Sequence, residues 1–277
     1  MSLLEVKDVT KSFSTKRDFL GRRIGWTHAV KGVSFTLDAG ECLAVVGESG
    51  AGKSTVGRIA LRLIEPDSGS ITFDGVDVRA ARAQELRALR QRMQMIFQDP
   101  HSSLDPRMTI GDAVAEPLLV HTDRSRTERE RQSAALLERV GLGSRYLGRY
   151  PAELSGGQLQ RVAIARALAL NPAMIVCDEP VAALDVSVRA QVLNLLRELQ
   201  EDLGLAYLFV CHDLALVEVI ADRVLVMAAG EVVEEGTVEQ IFAAPQQEYT
   251  QRLLSAIPVP LPRDAMGNRI TSIGERA

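Results

Sequence analysis

The chain has 277 residues, 46% hydrophobic and 25% charged, with 32 basic against 36 acidic side chains and a formal charge of −4. That is the composition of a folded globular chain long enough to bury a substantial core, and it excludes disordered, collagenous and disulfide-stapled classes. The slight acidity gives no overall electrostatic reason to hold DNA, RNA or anionic lipid. No stretch approaches the roughly 20 apolar residues of a membrane-spanning helix. The Met1-Ser-Leu-Leu-Glu5 start lacks the basic-then-apolar layout of a signal peptide, so a cytoplasmic chain is expected.

In chain order, Leu4 to Val9 and Val33 to Leu37 alternate as half-buried strands, and Cys42 to Val46 is a short continuous apolar run. Such a run is the mark of a parallel strand buried on both faces. A Gly-rich turn then leads into a helix over Lys53 to Ile64, and Ser70 to Phe73 is a strand closed by Asp74-Gly75. Arg79 to Arg92 is basic, but Glu85 interrupts it and no aromatics interleave, which reads as a solvated helix face rather than a nucleic-acid stripe. Met93 to Phe97 is a further strand, ending at Gln98. From about Pro100 to Ala152 there is no convincing strand and a helical insertion is expected, with Thr127-Glu-Arg-Glu130 as the capping box of a helix stopped by Gly141. A helix over Gln158 to Leu170 stops before Pro172, and Met174 to Cys177 is a second buried strand. Val188, Val192, Leu195, Leu196, Leu199 and Leu203 keep helical spacing from Ser187 until Gly204. Ala206 to Cys211 and Arg223 to Met227 are strands, and after Ala244 a short amphipathic piece precedes Pro258, Pro260 and Pro262, which cannot continue a helix. Strands alternating with helices predict an α/β fold around a mostly parallel sheet. Cys42, Cys177 and Cys211 all lie in or at the end of apolar runs, so small buried residues are expected there rather than a disulfide or a metal site.

Three motifs carry chemistry. Gly47-Glu-Ser-Gly-Ala-Gly-Lys53-Ser54 fits the phosphate-loop pattern between a strand and a helix, the context it requires. Glycines let the backbone wrap closely so that its N–H groups and the helix N-terminus face an anion. Lys53 would reach the β and γ phosphates and Ser54 would ligate Mg²⁺. Met174-Ile-Val-Cys-Asp178-Glu179 delivers two carboxylates at the end of a buried strand, where open α/β sheets bind ligands. Asp178 is placed to hold Mg²⁺ directly or through water, and Glu179 to activate a water for attack on the γ-phosphate. Leu154-Ser-Gly-Gly-Gln158 could simply cap the helix that follows, but two glycines at a helix N-terminus also make a second anion site.

With that third motif the sequence resembles the ATP-binding subunits of ABC transporters, whose signature is Leu-Ser-Gly-Gly-Gln. Their order of phosphate loop, glutamine loop, signature, strand with Asp-Glu, Asp-containing loop and histidine loop is matched from Gly47 to His212. The resemblance implies a phosphate-loop NTPase, RecA-like core with an antiparallel β subdomain and an inserted helical subdomain. The implied divisions are 1–99 with 153–244 as the nucleotide-binding core, 100–152 as the helical insert and 245–277 as a C-terminal extension. It assigns Gly47, Glu48, Ser49, Gly50, Ala51, Gly52, Lys53, Ser54 and Thr55 to ATP, and Ser155, Gly156, Gly157, Gln158 and Asp185 to the nucleotide of an opposing subunit. Ala182 stands where Ser or Thr is frequent, which puts a hydroxyl contact at that loop in doubt. Gln98 is implied to sense Mg²⁺ and the attacking water and to begin the segment coupled to the membrane subunit. His212 is implied to bond the γ-phosphate and orient Glu179. Phe13, with Trp26 as a rival, is implied to stack on adenine.

The insertion from Ser14 to His28 and the tail Glu248-Tyr-Thr-Gln-Arg-Leu-Leu-Ser-Ala-Ile-Pro-Val-Pro260 resemble the oligopeptide, dipeptide and nickel importer group. That group commonly has His-Pro before the Tyr, where this chain has Gln247-Glu248, and no cysteine follows Cys211 to hold the iron–sulfur cluster some members carry. The resemblance implies an ATPase on the inner face of the membrane that powers uptake of a peptide, opine, nickel or glutathione-like solute. Its implied partners are permease subunits, a second ATP-binding subunit that is identical or a sister, and indirectly an extracytoplasmic solute-binding protein. A soluble ABC-type ATPase of DNA repair or translation is the alternative; such proteins carry paired nucleotide domains or long coiled-coil or zinc insertions, none of which is visible here.

Overall fold

A computed structural model describes residues 2–17 and 23–256. Gly21 and Arg22 of the early insertion, and Pro258, Pro260 and Pro262 of the tail, lie outside the described residues. In chain order, β1 (Leu4–Arg17), β2 (Arg23–Leu37) and β3 (Cys42–Val46) lead into α1 (Lys53–Ala60), followed by β4 (Ser68–Phe73) and β5 (Val76–Asp77). Then come α2 (Ala83–Arg92), β6 (Met93–Ile96), α3 (Pro100–Ser103), α4 (Ile110–His121) and α5 (Arg126–Arg139). After two short 3₁₀ turns, α6 (Gly156–Leu168), β7 (Met174–Asp178), α7 (Val186–Leu203), β8 (Ala206–Val210) and α8 (Leu214–Ile220) complete the alternation. The chain continues through β9 (Arg223–Ala228), β10 (Glu231–Thr237), α9 (Val238–Ala243) and α10 (Glu248–Ser255).

Two sheets result. One is antiparallel, in the order β2-β1-β4-β5. The other, in the order β10-β9-β3-β8-β7-β6, is parallel except for β10 at its edge. The expected α/β class and mostly parallel sheet are thus observed.

The apolar runs are continuous because β3, β7 and β8 are covered on both faces, and side chains of alternating parity enter two different cores. Cys42, Ala44, Val46, Ile175, Cys177, Tyr207 and Phe209 join α6, α7 and the helical insert. Leu43, Val45, Met174, Val176, Ala206, Leu208 and Val210 face α1 and the antiparallel sheet. The three cysteines are buried free thiols, and burial pushes each thiol pKa up, that of Cys211 to about 12.

Four local features differ from the sequence reading. β1 and β2 run on as a hairpin from Ser14 to Arg17 and from Arg23 to His28, with several register shifts. Ile24 and Trp26 are the only apolar residues in these two stretches, too short an alternation to announce the strand pair beside the polar Ser14 to Arg17. α1 ends at Ala60 rather than Ile64, because the chain turns away through Arg62 at φ 48° while Leu63 N–H donates to Arg58 O. The capping box of α5 is Ser125 with Glu128, not Thr127 with Glu130: Ser125 N–H donates to Glu128 Oε2 at 2.7 Å and Glu128 N–H to Ser125 Oγ at 3.3 Å. Two overlapping S/T-x-x-E frames compete there, and the upstream one satisfies the first free amides of the longer helix. β10, whose alternation is masked by Glu231, Glu234 and Glu235, was not expected at all.

Candidate nucleotide site

The cleft lies at the C-terminal ends of the parallel strands, where β3 delivers the loop Gly47–Gly52 onto the N-terminus of α1. The loop requires glycine at two points where backbone from other elements closes on it. A Cβ on Gly47 (φ 146°) would sit 2.1 Å from Met227 O, and one on Gly52 (φ 100°) 2.3 Å from Ala29 O. Gly52→Ala is therefore expected to cost about 1–3 kcal/mol of stability, read as a lowered unfolding temperature.

Lys53 opens α1 and is buried, its Nζ donating to Gly47 O at 2.7 Å and Glu48 O at 2.9 Å. Burial lowers its pKa from the ordinary lysine value, against the opposing pull of Glu179, Cys211 and Asp178. The next residue reaches β7: Ser54 Oγ donates to Asp178 Oδ1 at 2.6 Å. Asp178 is 1% exposed and its other oxygen accepts from Arg58 at 3.3 Å. A buried carboxylate needs such partners on both oxygens.

Glu179 follows in the left-handed region at φ 48°, a conformation a non-glycine residue holds only when its surroundings impose it. Its amide donates to Val210 O at 2.9 Å, which ties the β7 end to β8. Glu179 Oε2 accepts from Gln98 Nε2 at 3.0 Å and lies 3.2 Å from His212 Nδ1. Gln98, Glu179 and His212 thus converge from the ends of β6, β7 and β8 and face the loop across a cleft of about 460 Å³, lined also by Ala29, Ser49, Gly50, Gly52, Lys53, Ser54 and Thr55. Its volume falls within the range of small-ligand sites.

Other expected site residues do not line this cleft. Ser155 caps α6 and forms a box with Gln158, whose Nε2 donates to Tyr146 Oη at 2.9 Å. Gly157 lets that helix end close on α7, since a Cβ there would lie 2.4 Å from Val188 Cγ1. Asp185 is the N-cap residue of α7 and makes no side-chain capping bond. Phe13 is 39% exposed on β1, opposite Thr27, while the neighbouring Trp26 is 54% exposed. Sequence reasoning missed Arg58, which lies four residues after Ser54 on the same helix face and was legible on that ground. Arg189 was also missed: it donates to Leu184 O at 2.8 Å and lies 3.9 Å from Asp213 Oδ2, bridging the Asp185 loop and the loop after β8.

Residues 30–182 match the family described as ABC transporter. The chain belongs to the ABC transporter family. It is 48% identical over 273 residues to the glutathione import ATP-binding protein GsiA of Pectobacterium atrosepticum, covering 99% of this chain and 44% of that protein. It is 49% identical over 264 residues to a probable peptide ABC transporter ATP-binding protein, y4tS, of Sinorhizobium fredii, covering 95% and 75%. The chain thus spans less than half the length of the glutathione import relative. Among solved structures it resembles the dimeric post-hydrolysis state of the ATP-binding cassette MJ0796 bound to ADP and Pi, with TM-score 0.75, 32% identity and 85% and 98% of the two chains covered. The cbiO1 structure from Clostridium perfringens matches with TM-score 0.74 and 29% identity, over 88% and 91% of the two chains. Among the described residues no helix is long and apolar enough to cross a membrane.

Proposed function

We propose that this chain is the ATP-hydrolysing subunit of an ABC importer for a peptide or related small solute. The observation that carries the reading is the convergence of Gln98, Glu179 and His212 on one cleft with Lys53 and Ser54. Relatives named for glutathione and peptide import support the solute class.

ATP would place its phosphates over the loop amides of Gly47 to Thr55 other than that of Glu48, with Lys53 turning from the Gly47 and Glu48 carbonyls to the β and γ phosphates. Ser54, Asp178 and Gln98 offer a hydroxyl, a carboxylate and an amide oxygen, a hard set that fits Mg²⁺ shared with phosphate oxygens. The metal would neutralise charge developing on the transferred phosphoryl group. Glu179 is the general base for the attacking water, and His212, 3.2 Å away, holds its carboxylate and meets the γ-phosphate. Phe13 or Trp26 supplies the adenine stack.

Ser155, Gly156, Gly157, Gln158 and Asp185 lie outside their own cleft, which supports a role on the nucleotide of a second ATP-binding subunit arranged head to tail. The chain divides by this reading into a nucleotide-binding core (1–99 and 153–244), a helical insert (100–152) and an extension (245–277). Between core and insert runs a groove lined by Leu61, Leu63, Met93, Met95, Phe97 and Pro117. A helix of the permease would seat there on the inner face of the membrane, beside the Gln98 segment.

The test is capture of Glu179→Gln from its native cells with ATP. Polytopic membrane proteins and a solute-binding protein are expected to co-purify. Ribosomal or DNA-repair components in their place would overturn the importer reading.

A further inference from the structure

One contact to the phosphate loop comes from far along the chain. Glu48 N–H donates to the hydroxyl oxygen of Tyr249 at 3.1 Å, across 201 positions of sequence. Tyr249 sits in the first turn of α10, in the C-terminal extension, and its ring packs against the core under the parallel sheet. The start of this helix is itself anchored: Gln246 and Gln247 N–H groups donate to the two oxygens of Glu234 on β10, at 2.7 and 3.1 Å. Thr250, the next residue, is buried.

We infer that Tyr249 is a positioning residue of the ATP site, through which the C-terminal extension pre-forms the phosphate loop. This rests on the reading that the loop binds ATP. The backbone of Glu48 is held at both of its polar groups, its carbonyl by Lys53 at 2.9 Å and its amide by Tyr249. Lys53 must leave that carbonyl to reach phosphate. The Tyr249 bond is independent of Lys53 and persists, so the first half of the loop keeps its shape when the lysine departs. Without the hydroxyl, the exposed Glu48 amide turns to solvent and the loop samples more conformations, and ordering them again is charged against nucleotide affinity. Neither Tyr249 nor α10 touches the reacting atoms, so affinity is affected and the chemical step is not.

The test is Tyr249→Phe in the full chain, which removes the hydroxyl and keeps the ring. A fluorescent ATP analogue with Mg²⁺ reports Kd, and thermal unfolding without nucleotide reports Tm. Loss of one hydrogen bond predicts a roughly three- to ten-fold rise in Kd, with Tm within about 2 °C of wild type and kcat retained at saturating ATP. Glu234→Ala, which frees the leading amides of α10 but leaves the hydroxyl, is expected to raise Kd in the same direction. A wild-type Kd in Tyr249→Phe, or a weaker Kd accompanied by a matching fall in Tm, overturns the inference while leaving the ATP reading intact. A folded wild-type chain that takes up no nucleotide overturns both.

Discussion

Glu179→Gln is expected to lower steady-state ATP hydrolysis by roughly 10²–10⁴-fold, the contribution of a positioned general base, while ATP affinity stays within about three-fold of wild type. The substitution is close to isosteric. Glutamine can still accept from Gln98 Nε2, now 3.0 Å from Oε2, and Val210 O still holds the residue 179 amide. What disappears is the negative charge that draws the proton from water. Phosphate-release assays under saturating ATP, paired with equilibrium nucleotide binding, separate the two quantities. A variant that turns over at the wild-type rate would remove Glu179 from the chemistry and leave its left-handed backbone without a catalytic reason.

Lys53→Ala is expected to fail earlier, at binding. Charge-assisted bonds to phosphate are each worth about 1.5–3 kcal/mol, so losing those of one ammonium should weaken ATP binding at least about a hundredfold. Stability should hold. In the free chain Lys53 carries a burial penalty that lowers its pKa, and its removal relieves that penalty while releasing two carbonyls, Gly47 O and Glu48 O. Isothermal titration with ATP and Mg²⁺, with the unfolding temperature as control, distinguishes lost recognition from lost folding. The contrast between the two variants is informative: Glu179→Gln binds without turning over, and Lys53→Ala does not bind.

Much of the fold was legible because burial on both faces leaves an unambiguous mark. Cys42 to Val46, Met174 to Cys177 and Ala206 to Cys211 have no polar residue to dispute the strand, and each ends where a motif begins. The elements that escaped are those whose pattern depends on tertiary context. β10 carries three glutamates on an edge of the sheet, and the outer hairpin of β1 and β2 is mostly polar in sequence. At α5 the local rule was sound but applied in the wrong frame, since Ser125–Glu128 and Thr127–Glu130 have the same spacing.

The cleft was similarly divided. Glu179 could be read from its place at a buried strand end beside the phosphate loop, whereas Gln98 and His212 were implied by the family resemblance. Arg58 could have been found from its four-residue offset from Ser54. Tyr249 could not, because nothing local to it points at Glu48 and the two meet only through the packing of α10 on β10. Phe13 and its rival Trp26 were implied by the resemblance alone, and both stand exposed on the β1–β2 hairpin outside the lining of the phosphate cleft.

The most direct test of the account is the structure of the Glu179→Gln assembly with ATP and Mg²⁺, including whichever second ATP-binding subunit co-purifies. The account predicts the triphosphate held by Lys53 and the loop amides on one side and closed on the other by the opposing subunit's signature turn, with residue 179 facing the γ-phosphate. A γ-phosphate left open to solvent, with Ser155 to Gly157 turned away from any nucleotide, would contradict it.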